Sequence, residues 1–462
     1  MATITGTAGS DTLVGTQSDD FIDTAGGMDS VDAGAGNDVV RLTIVMPPGN
    51  QNFGTADAGA GNDTVQFLGG DGRVSLGDGD DIFSMESGTI YDDYVTLNGG
   101  AGSDLLTVSH SVLGPDTLFD LFAGVGKVGT TRFFLTDLEN LTVDGLGATP
   151  SDFRTVQLYG DSSANSFTVT GQAGATLLGR GGDDVLVGGQ LQHALTAFGG
   201  SDSDTIVGSE QSDWLNGGRD SSEPSIEDPG EDGGDSIDGK GGNDHIFGNR
   251  QGAVQGTVDG GDLIHAGDGG DYVNGNAGND TIFGDAGSDR LYGGAGDDLI
   301  DGGFANDHIN GNKGNDTIEG GAGHDDLLGG QGNDRLSGGG GFDTLSGNAG
   351  NDTFSIGAYG HFATSGSDAY RTDIITDFQN GQDSMALGYL PSTILHPGGA
   401  SDVAAAAALA TSVLSQADAH SVAAVQVGAD TYLFYDNVTS GPDSAVQLIN
   451  VLASGIGTED FL

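Results

Sequence analysis

The chain has 462 residues, 68 acidic and 13 basic, for a net charge of −55. That balance excludes nucleic acid and an anionic membrane surface as direct partners and makes cations the expected company. The 87 glycines against 9 prolines would suit a disordered acidic chain, but regularly spaced Ile, Leu and Val oppose that, and without cysteine the fold is not held by disulfides.

The first ten residues, MATITGTAGS, lack the basic and apolar regions of a cleaved signal, and no run of about 18 apolar residues occurs to span a membrane. A nine-residue frame opens at once. Asp11, Asp20, Asp29 and Asp38 lie nine apart, with Leu13, Ile22, Val31 and Val40 two residues beyond each. Glycines are sparse here, so these rungs are expected to stack as strands. Fuller glycine turns follow at 58–63 (AGAGND) and 99–104 (GGAGSD), ending in Asp63 and Asp104, with a partial one at 77–81.

Between residues 105 and 178 the glycine turns thin out and apolar runs lengthen, which predicts either a wider β-helix continuing the stack, the preferred reading, or a small inserted β domain. Turns resume at 179–184 and 199–204, giving Asp184 and Asp204, then Asp213 precedes the single tryptophan, Trp214. Trp214 reads as a packed rung or loop edge in preference to a carbohydrate platform. Residues 219–232 (RDSSEPSIEDPGED) predict an exposed acidic loop. Asp235 and Asp244 re-enter the frame, with Ala253 in a slot that lacks its aspartate.

From there the frame is strict. Asp262, Asp271, Asp280, Asp289, Asp298, Asp307, Asp316, Asp325, Asp334, Asp343 and Asp352 recur every nine residues, each followed two positions later by Ile264, Val273, Ile282, Leu291, Ile300, Ile309, Ile318, Leu327, Leu336, Leu345 or Phe354. Each aspartate is sixth in its repeat. Glycines at the first, second and fourth places (Gly275, Gly284, Gly293, Gly294, Gly302, Gly311, Gly320, Gly321 and Gly329 among them) permit positive φ and close backbone approach, so that carbonyls can converge on a cation. Two repeats make one coil, which stacks Asp280 with Asp298 on one edge and Asp289 with Asp307 on the other. Carboxylates about 4.8 Å apart repel unless a divalent cation lies between them, and an all-oxygen donor set suits calcium over zinc or copper. The candidate ligands are these aspartates and glycines with Asp244, Asp184, Asp63 and Asp104. One large apolar residue per repeat is too little to order the chain, so folding is expected to require calcium.

These turns resemble the glycine-rich, hemolysin-type calcium-binding repeats of the RTX (repeats-in-toxin) family. The resemblance implies an all-β parallel β-roll or β-helix solenoid, export by a type I secretion machinery, and folding in the calcium-rich exterior. Asn276, Asp285, Asn312 and Asn348 replace the second glycine, a change that left-handed backbone tolerates, whereas Ala266 at a first place and Ala305 at a fourth are expected to weaken their turns. Segment 373–383 (DIITDFQNGQD) is similar to one found just after the roll in many RTX proteins, and residues 458–462 (TEDFL) resemble a type I secretion signal. In between, a helix opening at Ser401 or Asp402 and strands at 423–427, 431–435 and 445–449 predict a small α+β or β cap on the last coil. The expected divisions are 1–104, 105–178, 179–355 and 356–462.

No His-Glu-x-x-His or Gly-x-Ser-x-Gly occurs, and there is no thiol. His245, His265, His308 and His324 read as surface positions rather than a zinc cluster. Three function classes follow. A secreted calcium-dependent structural or adhesive protein of a surface layer or biofilm matrix accounts for nearly every feature, with self-association or cell-surface polysaccharide as partner. A polysaccharide-active enzyme is the alternative, with its site on the 105–178 face near His110, Lys127, Arg132, Arg154 and Tyr159. A pore-forming toxin lacks its long apolar segment.

Overall fold

The computed structural model describes residues 1–43, 54–68, 72–85, 94–101, 104–109, 117–120, 125–128, 131–136, 140–146, 155–160, 163–171, 174–191, 193–218, 233–249, 260–356, 372–418, 420–435 and 444–462; the predicted acidic loop, Ala253, His110 and Arg154 lie outside these. The chain forms two compact units, Met1–Asp232 and Gly233–Leu462.

In the first unit, each coil contributes one strand to each of two sheets of mainly parallel strands. One sheet runs through Thr3–Thr5, Phe21–Asp23, Val39–Leu42, Thr64–Phe67 and Ile82–Met85, then Leu105–Ser109, Asn140–Leu146, Ser166–Gly171, Val185–Leu191 and Thr205–Val207. The facing sheet includes Ser30–Gly34, Gly54–Ala60 and Gly72–Asp78. Its only antiparallel pairs among the described residues involve Val125–Val128, which lies between Thr117–Asp120 and Thr131–Thr136. Alternation of side chains along each strand puts Leu42, Phe67, Leu76, Phe83 and Leu97 inside. Trp214 stands on the outer face of Trp214–Asn216, 43% exposed.

The second unit repeats the plan more tightly. Ser236–Asp238, Leu263–His265, Thr281–Phe283, Leu299–Asp301, Thr317–Glu319, Arg335–Ser337 and Thr353–Ser355 form one parallel ladder, and His245–Phe247, Tyr272–Ala277, Arg290–Ala295, His308–Lys313, Asp326–Gln331 and Thr344–Ala349 the other. All eleven apolar partners from Ile264 to Phe354 are buried, stacked one per coil in each sheet. One expectation is corrected here: Asp235 pairs across to Asp262 and Asp244 to Asp271, each 27 residues on. The spacing of paired aspartates here is therefore 27 residues, where neighbouring coils have 18.

The roll ends against a cap. Ser384–Ala386 extends the first ladder, and Asp373–Ile375 followed by Ser444–Leu448 extends the second. Helix Val403–Leu414, capped by Asp402 through the Ala405 N–H, lays Ala406, Ala407 and Ala410 on Ser421–Val427 and Asp430–Tyr435. This is the small α+β cap expected from the sequence. The Asp377 carboxylate accepts the N–H groups of Gly347 and Asn348 at 3.1 and 2.7 Å, covering the last turn of the roll. Within the terminal residues that resemble an export signal, Asp460 and Phe461 are buried and Phe461 bridges to Met385, while Thr458, Glu459 and Leu462 are exposed. Among the described residues no helix is long and apolar enough to cross a membrane.

Candidate metal centre

Each turn is closed by its own aspartate. Along the strand direction the sixth, eighth and first places of successive repeats face inward, as Asp280, Ile282 and Gly284 do. The first-place glycine is there for space rather than for φ. A Cβ on Gly293 would lie 2.3 Å from Asp298 Oδ2, and on Gly275 it would lie 2.1 Å from Asp280 Oδ2. Left-handed backbone belongs to the second and fourth places instead. Asn276, Asp285, Asn312 and Asn348 take φ of 74, 64, 71 and 65°, as the sequence predicts for Asn and Asp. At the fourth place coils approach so closely that a Cβ on Gly296 would meet the Gly278 carbonyl oxygen at 1.7 Å.

The two alanine departures leave the backbone intact. Ala305 closes its turn at φ 79° and donates to the Ala322 carbonyl at 2.7 Å. Ala266 is fully buried and donates to Phe283.

The carboxylates form two columns in the second unit. Oδ1 of each accepts the backbone N–H of the aspartate one coil earlier: Asp262 to Asp280, Asp280 to Asp298, Asp298 to Asp316 and Asp316 to Asp334 on one edge, at 2.8–2.9 Å. On the other edge Asp271, Asp289, Asp307 and Asp325 donate to Asp289, Asp307, Asp325 and Asp343. Oδ2 is different. In Asp271, Asp280, Asp289, Asp298, Asp307, Asp316, Asp325, Asp334 and Asp343 it is buried and meets no hydrogen-bond donor. Burial raises these carboxyls, and the N–H bond from the previous coil offsets it only in part. Asp298 and Asp307 are pushed up to about 8, Asp280, Asp289 and Asp334 to about 7, and Asp271, Asp316 and Asp325 to about 6.

A buried oxygen without a donor costs free energy that a proton or a cation can recover. The turns are rich in lone pairs and poor in donors, which fits a hard cation such as calcium. No three His, Asp or Glu side chains converge as a metal cluster among the described residues. A turn-type site has no need of one, because it would join one carboxylate to backbone carbonyls.

The remaining expected residues make the same ladder bond within their own units. Asp63 accepts from Asp38, Asp104 from Asp81, Asp184 from Asn165, and Asp352 from Asp334. Asp63 is raised to about 7 by burial. The set of candidate ligands had omitted Asp29, Asp38 and Asp81, whose Oδ2 atoms are equally buried without a donor; the nine-residue frame at Asp29 and Asp38 was the signal. The histidines lie at the surface: His265 reaches Asp285 and stacks on Phe283, and His308 reaches Asp326. Of the residues named for a polysaccharide site, Tyr159 lies under the Arg180 guanidinium, and the side chains of Lys127 and Arg132 lie outside the described residues.

Two parallel ladders closed by glycine-rich turns, with aspartate carboxylates stacked at both edges, define an acidic nonapeptide β-roll. The chain carries RTX repeats: the model of the RTX calcium-binding nonapeptide repeat matches residues 5–40, 170–190, 196–221, 229–251 and, in overlapping segments, 257–358. It is a calcium-binding repeat protein. Solution structures of the AlgE6R2 and AlgE6R3 subunits of the mannuronan C5-epimerase from Azotobacter vinelandii are similar at 21% and 25% identity, covering 39% and 38% of this chain and 90% and 80% of theirs, with TM-scores of 0.22 and 0.16. These local likenesses carry no inference about activity. Among curated proteins none matches.

Proposed function

We propose that the protein is a secreted structural or adhesive component of a bacterial surface layer or extracellular matrix, exported by a type I machinery and folded by calcium outside the cell. The observation that carries this reading is the double column of buried carboxylates whose Oδ2 atoms meet no donor. Asp262 to Asp352, with Asp244, Asp184, Asp63 and Asp104, would hold calcium together with carbonyls of the glycine turns. The cation supplies the positive charge that lets these carboxylates remain ionised inside the roll. In its absence the chain must protonate them or unfold.

Self-association follows from the same chemistry. With a net charge of −55, copies repel until divalent cations bridge exposed acids such as Asp297 and Asp326. Circular dichroism before and after chelation tests the folding step; an unchanged strand signal in dialysed, metal-free protein rejects it. Light scattering and electron microscopy across a calcium titration test assembly, and a monodisperse monomer at millimolar calcium rejects that.

A further inference from the structure

The turns are of two chemical kinds, separated by the direction of one amide. In most, the second-place residue has positive φ and its N–H points away from the aspartate. Those of Asn276, Asn312, Gly303, Lys240 and Ala25 donate at 3.0–3.1 Å to the Asn or Asp side chain two residues earlier: Asn274, Asn310, Asp301, Asp238 and Asp23. In these open turns Asp29, Asp280, Asp307 and Asp316 each keep a buried Oδ2 with no donor. Among the described residues four other turns reverse this. Thr7, Thr16, Ser209 and Gln379 occupy the second place without positive φ, and their N–H groups donate inward to Oδ2 of Asp11, Asp20, Asp213 and Asp383 at 2.6, 2.7, 2.6 and 2.8 Å. The hydroxyls of Thr7 and Ser209 add a second donor. In Asp20, Asp213 and Asp383 Oδ1 still accepts from the adjoining coil, so both oxygens are satisfied within the protein.

The four closed turns are not scattered. Asp11 and Asp20 precede the first open turn, at Asp29; Asp213 is the last aspartate of its run before residues 219–232; and Asp383 follows the last roll aspartate, Asp352, in its ladder. A cation between coils draws ligands from both sides, and a turn at the end of a run lacks one side. A donor from the turn's own backbone does there what the cation does elsewhere.

We propose that the turns at Asp11, Asp20, Asp213 and Asp383 are calcium-independent clasps that terminate the runs, and that the calcium load is confined to turns whose second residue is left-handed. This rests on the reading that the open turns take calcium. The clasps hold the ends of each run whether or not the cation is present.

The test is to count calcium ions on the folded full-length chain by native mass spectrometry, in wild type and in Asp298→Asn, Asp213→Asn and Asp11→Asn. Asparagine keeps the Oδ1 bond, places an amide where Oδ2 was, and removes the charge. Expected are a loss of at least one ion from Asp298→Asn and none from Asp213→Asn or Asp11→Asn. Asp213→Asn should also lower the thermal midpoint of the first unit equally in calcium and in chelator, since it loses an internal bond in both. An ion lost from either clasp variant, or none lost from Asp298→Asn, overturns the proposal. Asp11 is half-exposed in the first rung, so its variant reports even if Asp213→Asn fails to fold. A wild-type chain that takes up no calcium overturns the calcium reading itself, a result distinct from the two above.

Discussion

The coil from Asp63 to Asp81 and the coil from Asp280 to Asp298 have the same length and the same hydrogen-bonded carboxylate ladder, yet they are filled differently. The first buries Val65, Phe67, Val74 and Leu76; the second buries Ile282 and Leu291. The extra side chains come from strands one residue longer and from the first place of the turn, where Leu76, Ala58, Ala33 and Thr24 stand in the first unit and Gly275, Gly284, Gly293 and Gly302 in the second. At roughly 1.5–3 kcal/mol per fully buried large side chain, two more amount to about 3–6 kcal/mol per coil. The comparison teaches that one turn geometry can be filled by apolar side chains or left to glycines and carboxylates, and that the first-place residue decides which.

The largest effect should come from removing calcium. Hydrogen exchange followed by mass spectrometry, with and without chelator, should show amides in 281–337 losing protection by roughly a hundredfold or more, while those in 64–85 lose less. Equal loss in the two segments would break the comparison and place the cation dependence in the shared ladder.

Acidity should partly replace the metal. Asp298 and Asp307 stand near 8 when folded against an ordinary 3.8, so between those values the folded chain binds more protons than the unfolded. Their contribution is therefore fully present below about pH 4 and is lost progressively as pH rises to about 8. Metal-free protein should hold more strand at pH 5 than at pH 9 by circular dichroism, chiefly from the second unit. A strand signal that is flat or rises with pH contradicts this.

Exchanging the first-place residues sharpens the contrast further. Gly293→Ala puts a methyl 2.3 Å from Asp298 Oδ2 and should cost at least one bound ion and lower calcium affinity in that column about tenfold or more. Ala58→Gly, at a fully buried position, should leave the ion count unchanged and cost about 1–2 kcal/mol in urea unfolding, from lost burial and added chain entropy. If Gly293→Ala keeps its ions, the first place does not govern the carboxylate.

Much of this was legible in the sequence because the period is set by local chemistry. Aspartate every nine residues with an apolar residue two beyond gives both ladders, and all eleven apolar positions from Ile264 to Phe354 are inside. Left-handed backbone at Asn276 and Asn312 was equally readable from residue type. The reason for the first glycine was not. It depends on where the carboxylate lies across the turn, a contact between places five apart. The distinction between Asp20 and Asp38 was also hidden, since both fit the frame; it turns on whether Thr16 or Gly34 stands second and therefore on which way one amide points. The 27-residue step from Asp244 to Asp271 escaped because it is a whole number of nine-residue periods, so the count stays in phase across it.

The smallest effect tests a feature that the two coils share. At the fifth place of one edge, side-chain oxygens receive the N–H of the next coil in series: Asn279 from Asp297, Asp297 from Asn315, Asn315 from Asn333, and Asn333 from Asn351, at 2.7–2.9 Å. In the first unit Asn37 receives Asn62 at 3.1 Å and Asn62 receives Asp80 at 3.2 Å. These bonds are exposed, so water can replace them, and each is worth no more than about 0.5–1.5 kcal/mol. Asn315→Ala and Asn62→Ala should therefore lower stability by similar small amounts in calcium-loaded protein, with no change in ion count. A markedly larger loss for Asn315→Ala would mean that the fifth-place ladder supports the cation-dependent turns themselves, and that the two coils differ at their outer edge as well as inside.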